Sequence, residues 1–346
     1  MLLWCFVNKI LHCHSWFSGE DTVQFNGMGS DSSIPTWQEL VTAFLADSKN
    51  PLIVIVGPTA SGKTAFSISV AKHVSNAEIL NSDSRQLYRE MDIGTAKITK
   101  EEMQGIPHHF IDILDPNEGA AAGWYQLQAE DCIAEIKQRG NVPMLVGGSM
   151  LYVSAIIDGL TMAPVADDAL RNRLMKEYDI DNGESLFKQL KEIDPKSAEQ
   201  IHQNNKSRLV RAVEIVKLTG NSKPTYQLRS GKKDEQNLCT QSKHDTLILG
   251  VQLSRDILHE RINKRTKQMF ECGWIDEVRS LLDKGYTADD PGMKSHGYRE
   301  IMNFLQNEEP ETQEELIDII SAKTRQYARR QLTWWRYDPR INWIEI

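Results

Sequence analysis

The stretch Gly57-Pro58-Thr59-Ala60-Ser61-Gly62-Lys63-Thr64 restricts this chain more than any other, because it is a full match to the phosphate-cradling P-loop pattern. Pro51-Leu52-Ile53-Val54-Ile55-Val56 ahead of it is a short, continuously apolar, β-branched run, which predicts a buried parallel strand. Ala65 to Lys72 after it has helix-compatible spacing, so the loop is a strand-to-helix turn. In that setting successive backbone N–H groups and the helix N-terminus converge on an anion, Lys63 reaches its terminal phosphate, and the Thr64 hydroxyl can hold Mg²⁺. Such a loop grips a diphosphate; ATP is only the commonest carrier of one.

The rest of the chain predicts an α/β fold: a P-loop NTPase-like parallel sheet with flanking helices and a helical insertion. Residues 1–50 form an N-terminal extension, disordered at first, with a short helix near 36–46. There Thr36-Trp37-Gln38-Glu39 is a capping box and Trp37, Leu40, Val41, Phe44 and Leu45 share one face. Residues 51–161 hold the first part of the core, with strands at Ala77 to Leu80, His109 to Ile113 and Val142 to Val146 and a helix from Tyr125 to Arg139. Between 162 and 243 strand signals vanish and helices are expected at Ala169–Tyr178, Glu184–Ile193, Ser197–Gln203 and Ser207–Thr219, before a polar, mobile Gly231–Gln241. Residues 244–346 complete the core with a strand at Thr246 to Val251 and then helices to the end. The last of these, Glu314 to Trp335, leads into a stretch from Lys323 to Arg336 that carries five cations and no acid, interleaved with Tyr327, Trp334 and Trp335. A basic face mixed with aromatics suits a phosphate backbone with exposed bases, or is simply a solvated cationic helix.

Composition limits the partners. A net charge of −8 and pI near 5.7 exclude a generic polyanion binder, so any nucleic-acid site is a local basic patch. Five scattered cysteines without a C-x-x-C pair favour a reducing compartment and give neither a disulfide framework nor a zinc ribbon. No stretch approaches the ~20 apolar residues that span a bilayer, and the first residues lack the basic start and small-residue cleavage site of a signal peptide. His12-Cys13-His14 cannot all face one ion. A cytoplasmic monomer without a membrane is expected.

Asp83, in the loop at the carboxyl end of the second strand, lies beside the P-loop, because open parallel sheets place ligands there. It can bind Mg²⁺, act as a general base for a nucleophile attacking the carbon that bears a diphosphate, or merely cap its own turn. The strand ending at Val146 runs into Gly147-Gly148-Ser149 with no acid, which weakens an ATPase reading there. A small-metabolite kinase and a nucleic-acid-binding ATPase remain open on these residues alone. His108-His109 point apart on a strand and suit packing better than a joint metal site.

With Gly57 to Thr64, a further set of segments carries a specific resemblance. They are Asn81-Ser82-Asp83-Ser84-Arg85-Gln86-Leu87-Tyr88, Asp92-Ile93-Gly94-Thr95-Ala96-Lys97, Pro107-His108-His109-Phe110-Ile111-Asp112, Leu145-Val146-Gly147-Gly148-Ser149-Met150-Leu151-Tyr152, Arg208-Leu209-Val210-Arg211-Ala212, Gly297-Tyr298-Arg299-Glu300 and Arg329-Arg330-Gln331-Leu332-Thr333-Trp334. From about Pro51 onward the chain resembles the tRNA dimethylallyltransferase family, of bacterial type because the zinc finger of eukaryotic relatives is absent. The resemblance implies transfer of a dimethylallyl group from dimethylallyl diphosphate to the exocyclic amine of the adenosine just 3′ of the tRNA anticodon; free adenylate is a close variant acceptor, disfavoured by the basic helix. It implies Asp83 as base, with Thr59, Lys63 and Arg265 on the diphosphate and Thr64 on Mg²⁺. It also implies a tRNA contact set: Asp83, Ser84, Arg85, Gln86, Ser149, Arg171, the run Ser207, Arg208, Leu209, Val210, Arg211, the run Lys294, Ser295, His296, Gly297, Tyr298, Arg299, and the run Arg329, Arg330, Gln331, Leu332, Thr333, Trp334, Trp335, Arg336. Ser149 stands where the family more often has Thr, which keeps the hydroxyl.

Overall fold

The computed structural model describes residues 35–159, 167–220, 243–306 and 310–346. The expected leader and the Gly231–Gln241 stretch lie outside them. In chain order the elements are α1 (Trp37–Asp47), β1 (Pro51–Val56), α2 (Lys63–Val74), β2 (Ala77–Asn81), β3 (His108–His109), α3 (Ala122–Gln138), β4 (Val142–Val146), α4 (Met150–Ile157), α5 (Asp168–Asp181), α6 (Glu184–Ile193), α7 (Pro195–Gln200), α8 (Lys206–Thr219), β5 (Asp245–Gln252), α9 (Arg255–Glu271), α10 (Trp274–Asp283), α11 (Tyr298–Leu305), α12 (Gln313–Trp335) and β6 (Ile341–Glu345).

The six strands form one parallel sheet in the order β3-β2-β4-β1-β5-β6. β1 reads as an unbroken apolar run because both of its faces are covered. Leu52, Val54 and Val56 enter one core with Leu80, Leu145 and Ile248, while Ile53 and Ile55 enter the other with Ile79, Met144, Val146, Leu247 and Leu249. From β1 the chain passes over β4 to β2, and from β4 it passes over β1 to β5. The connections therefore diverge at β1 and β4, and their carboxyl ends border the crevice where such sheets bind ligands.

Two elements differ from the sequence expectation. β3 stops at His109, because Phe110 and Asp112 have φ of 63° and 55°, outside the strand region. The chain does not end in helices: after α12 a turn held by Arg340 on Asp338 and Asp158 leads into β6, which pairs with β5 from Ile248–Ile341 to Gln252–Glu345. Cys272 is disulfide-bonded, and among the described residues Cys132 is a free thiol.

The chain divides into two compact units, residues 1–159 with 239–346, and residues 160–238. The second is helical, with its own core from Leu174, Leu186, Leu190, Leu209, Val210 and Val213. Asp167, Asp194 and Asn205 cap α5, α7 and α8. α7 begins earlier than its composition predicts, because Asp194 accepts from the Ser197 N–H and Pro195 occupies the first helical position, where its missing donor costs nothing.

Candidate active site

The P-loop positions its groups through backbone geometry. Gly62, at φ 91°, is the N-cap of α2 and no side chain caps that end, so the first-turn N–H groups point to an incoming anion. Ala60 holds φ 62° although it has a Cβ, a strained conformation of the kind that clusters at functional loops. Lys63 is half-buried and its Nζ donates to the Pro58 carbonyl at 2.6 Å. Burial pushes its ammonium down to about 8, against the pull of Asp83 and with the push of Arg265. Arg265, on α9, brings Nη1 to 3.5 Å from the Thr59 hydroxyl; burial lowers its guanidinium too, and Asp83 and Glu102 oppose that shift. Thr59, Lys63, Asp83 and Arg265 are thus one cluster, in which burial disfavours the charge on both cations. An anion entering the loop would restore the balance for both.

Asp83 follows β2 and is half-buried. Its Oδ1 accepts from the Arg85 N–H at 2.9 Å, and its N–H donates to Asn81 Oδ1 at 3.1 Å. The turn-capping geometry is therefore present, and Asp83 still faces Lys63 and Arg265. Next to it, Ser149 Oγ accepts from the Ser84 N–H at 2.9 Å and donates to Ser84 Oγ at 3.1 Å. Sequence reasoning left Tyr327 out of the site. Its hydroxyl lies close enough to Ser149, Asp83 and Arg85 to be influenced by them, while burial pushes it up to about 12. The aromatic spacing of α12 was a visible signal; that this ring faces the β4 turn was not.

The other predicted residues separate into several groups. Arg85 Nη1 donates to the Pro291 carbonyl at 3.1 Å, and Gln86 Nε2 donates to Thr95 and Ala96 carbonyls. Lys294, His296, Arg299 and Arg330 line a cavity of about 1050 Å³ that also contains Glu311, Glu315 and Asp318. The cationic run on α12 is thus partly neutralised by its neighbours, and Lys323 lies 2.6 Å from Glu300. Arg329, Arg330, Thr333 and Arg336 are exposed, and among the described residues these three arginines make no ion pair. Ser207 and Arg208 are exposed on the helical unit. In that unit Arg171 and Arg211 converge on the fully buried Glu214 at 2.9 and 2.7 Å, so their charge is engaged internally.

Eight side chains or positions expected to line RNA instead build the interior. Leu209 and Val210 belong to the helical core; Ser295 and Trp335 are enclosed, and Leu332 packs beside Ala328 and Leu258. Gln331 is internal and bridges two loops. The buried Tyr298 donates to Glu277 at 2.6 Å. Glu277 also accepts from the N–H groups of Asp92, Ile93 and Gly94, at 2.8, 2.7 and 3.2 Å. Gly297 is small because a Cβ there would come within 2.0 Å of Trp274. Two of the motifs that carry the resemblance are therefore two halves of one internal clamp. Trp334 is half-buried beside Trp335.

Residues 86–338 match the family model for IPP transferase. A tRNA dimethylallyltransferase of Halalkalibacterium halodurans is 42% identical over 299 residues, covering 86% of this chain and 92% of that protein. One from Geobacter sulfurreducens is 39% identical over 300 residues, covering 87% and 93%. The chain belongs to the IPP transferase family. Among solved structures, the full-length tRNA isopentenylpyrophosphate transferase of Bacillus halodurans superposes with a TM-score of 0.62 at 40% identity, covering 86% of this chain and 90% of that one. A eukaryotic dimethylallyltransferase acting on tRNA gives 0.72 at 27% identity, covering 86% and 74%.

Proposed function

We propose that this protein transfers a dimethylallyl group from dimethylallyl diphosphate to the exocyclic N6 of the adenosine 3′-adjacent to the anticodon in tRNA, releasing diphosphate. The observation that carries the reading is the cluster of Thr59, Lys63 and Arg265 at an uncapped helix N-terminus with Asp83 opposite. The carbon–oxygen bond to the diphosphate breaks and a carbon–N6 bond forms. Lys63, the Thr59 hydroxyl, the Arg265 guanidinium and the first-turn N–H groups of α2 stabilise the charge that develops on the leaving group. Asp83 takes the N6 proton.

The loop also fits Mg²⁺. The Thr64 hydroxyl is exposed at its end, and no group of three or more His, Cys, Asp or Glu able to hold a metal occurs among the described residues. The ion would take its remaining ligands from the diphosphate and water, which suits Mg²⁺. It would supply further neutralisation of the departing diphosphate. The exposed Arg329, Arg330 and Arg336 are the groups we assign to the anticodon stem-loop backbone. Among the described residues no helix is long and apolar enough to cross a membrane, and we take the working form to be a cytoplasmic monomer.

Incubation of purified protein with unmodified tRNA and labelled dimethylallyl diphosphate, beside an ATP hydrolysis control, tests the reading. Label in the tRNA with no hydrolysis supports it; ATP turnover without transfer would replace it with a kinase or ATPase.

A further inference from the structure

We propose that Gln331 is a positioning residue that sets the geometry between the diphosphate loop and the acceptor loop. Gln331 is 2% exposed and lies on the inner face of α12, near its C-terminal end. Its Oε1 accepts from the Thr59 N–H at 2.9 Å and its Nε2 donates to the Gly148 carbonyl at 2.9 Å. Thr59 carries the hydroxyl that faces Arg265. Gly148 precedes Ser149, which bonds Ser84 beside Asp83. One buried amide therefore ties the loop on the leaving-group side to the loop on the base side.

Three features argue that this is more than interior packing. Gly148 leaves room for the amide, because a Cβ at that position would come within 2.3 Å of Gln331 Nε2. One turn earlier on the same face Tyr327 lies beside Ser149, and one turn later Trp335 is enclosed, so the helix face is packed on both sides of Gln331. Finally, the site requires one group that accepts from an N–H and donates to a carbonyl at once. A side-chain amide does this with two separate atoms, one accepting and one donating, and remains uncharged, so it spans the two loops without adding to the charge of the site.

The proposal rests on the P-loop being the diphosphate site. Its test measures three quantities for wild type and for Gln331→Leu: affinity for a non-reactive dimethylallyl diphosphate analogue, affinity for unmodified tRNA, and melting temperature. Leu keeps the volume and removes both hydrogen bonds. The expected result is an analogue Kd raised about tenfold or more with tRNA Kd changed less than about twofold in a folded protein. Gln331→Glu provides the second arm. Its carboxylate still accepts from Thr59 but faces the Gly148 carbonyl without a donor until it is protonated, so its transfer rate should rise relative to wild type as pH is lowered. Lys63, Asp83, Arg265 and Tyr327 face the same region in both proteins, so the ratio to wild type isolates residue 331. Unchanged analogue affinity in folded Gln331→Leu overturns the proposal, as does parallel loss of tRNA and analogue affinity. If Gln331→Leu does not fold, a Gln331→Glu profile parallel to wild type overturns it. A wild type that binds no analogue removes the functional reading itself.

Discussion

Asp83 and Glu277 are two carboxylates, one within a motif and one that holds two motifs together, and the protein uses them in opposite ways. Glu277 accepts three backbone N–H groups and the Tyr298 hydroxyl, so its oxygens are occupied within the fold. Burial pushes its carboxyl up, and those donors only partly offset this. Asp83 has one oxygen on a local turn and stands half-exposed before two desolvated cations. Asp83 lies in a segment that carries the family resemblance, and Glu277 joins two such segments. What distinguishes scaffold from chemistry is whether the polar atoms are already spent, and only the three-dimensional structure reports that.

If the Glu277 clamp is scaffold, Glu277→Ala should leave three N–H groups and a phenol without an acceptor and cost about 3–5 kcal/mol of stability. Thermal melts measure the loss. Single-turnover transfer by the fraction that remains folded should stay within about threefold of wild type; a collapse in rate at full folding would move the clamp into the active site.

Lys63→Ala should show the converse pattern. Losing the ammonium from the loop should weaken binding of a non-reactive diphosphate analogue by about 2–4 kcal/mol, measured by calorimetric titration. The melting temperature should hold or rise, because a cation whose charged form is disfavoured by burial has been removed. Unchanged affinity would take the loop out of diphosphate binding.

Glu78 sharpens the comparison along a single strand, since it begins the β2 segment that leads to Asp83. Burial pushes its carboxyl up, yet Arg139, Asn141 and His109 outweigh that and hold it at about 2. The folded value lies below the ordinary 4.5, so its stabilisation is present above about 4.5 and lost as pH falls through about 2. With Arg139 half-exposed, that stabilisation is about 1–2 kcal/mol. The difference between wild type and Glu78→Gln in denaturant melts should therefore be full at neutral pH and shrink in acid; a difference that persists at pH 2 would contradict the assignment.

The smallest expected effect concerns the exposed face of α12. Arg329→Ala with Arg330→Ala should raise the Kd for tRNA and flatten its log–log salt dependence by roughly 0.7–0.9 per lost phosphate contact, leaving the melting temperature in place. A lower melting temperature with an unaltered slope would make these arginines structural.

The strand, loop and helix around Gly57–Thr64 were legible because a parallel strand buried on both faces and a glycine-rich turn leave local signatures. Asp83 was legible because strand carboxyl ends converge at a topological switch point. β6 was not, since Ile341–Glu345 is a five-residue edge strand that follows a long helix and is stabilised by pairing with β5, far away in sequence. The fates of Tyr298, Gln331 and Trp335 were not legible either. Polar and aromatic residues in a basic stretch suggest contact with RNA, and only the rotation of α12 and the packing of α11 on Trp274 determine that they point inward. The Arg171–Glu214–Arg211 tie was hidden for the same reason, because a buried acid on α8 has no marker in composition.

The most direct measurement is single-turnover transfer of labelled dimethylallyl to tRNA by Asp83→Asn, at concentrations where calorimetry shows both substrates bound. Asn preserves the side chain's shape and its ability to accept from the Arg85 N–H but cannot take the N6 proton. A rate lower by about 10² to 10⁴ with both affinities retained is the predicted outcome. Transfer at the wild-type rate would reduce Asp83 to a turn residue and contradict the account.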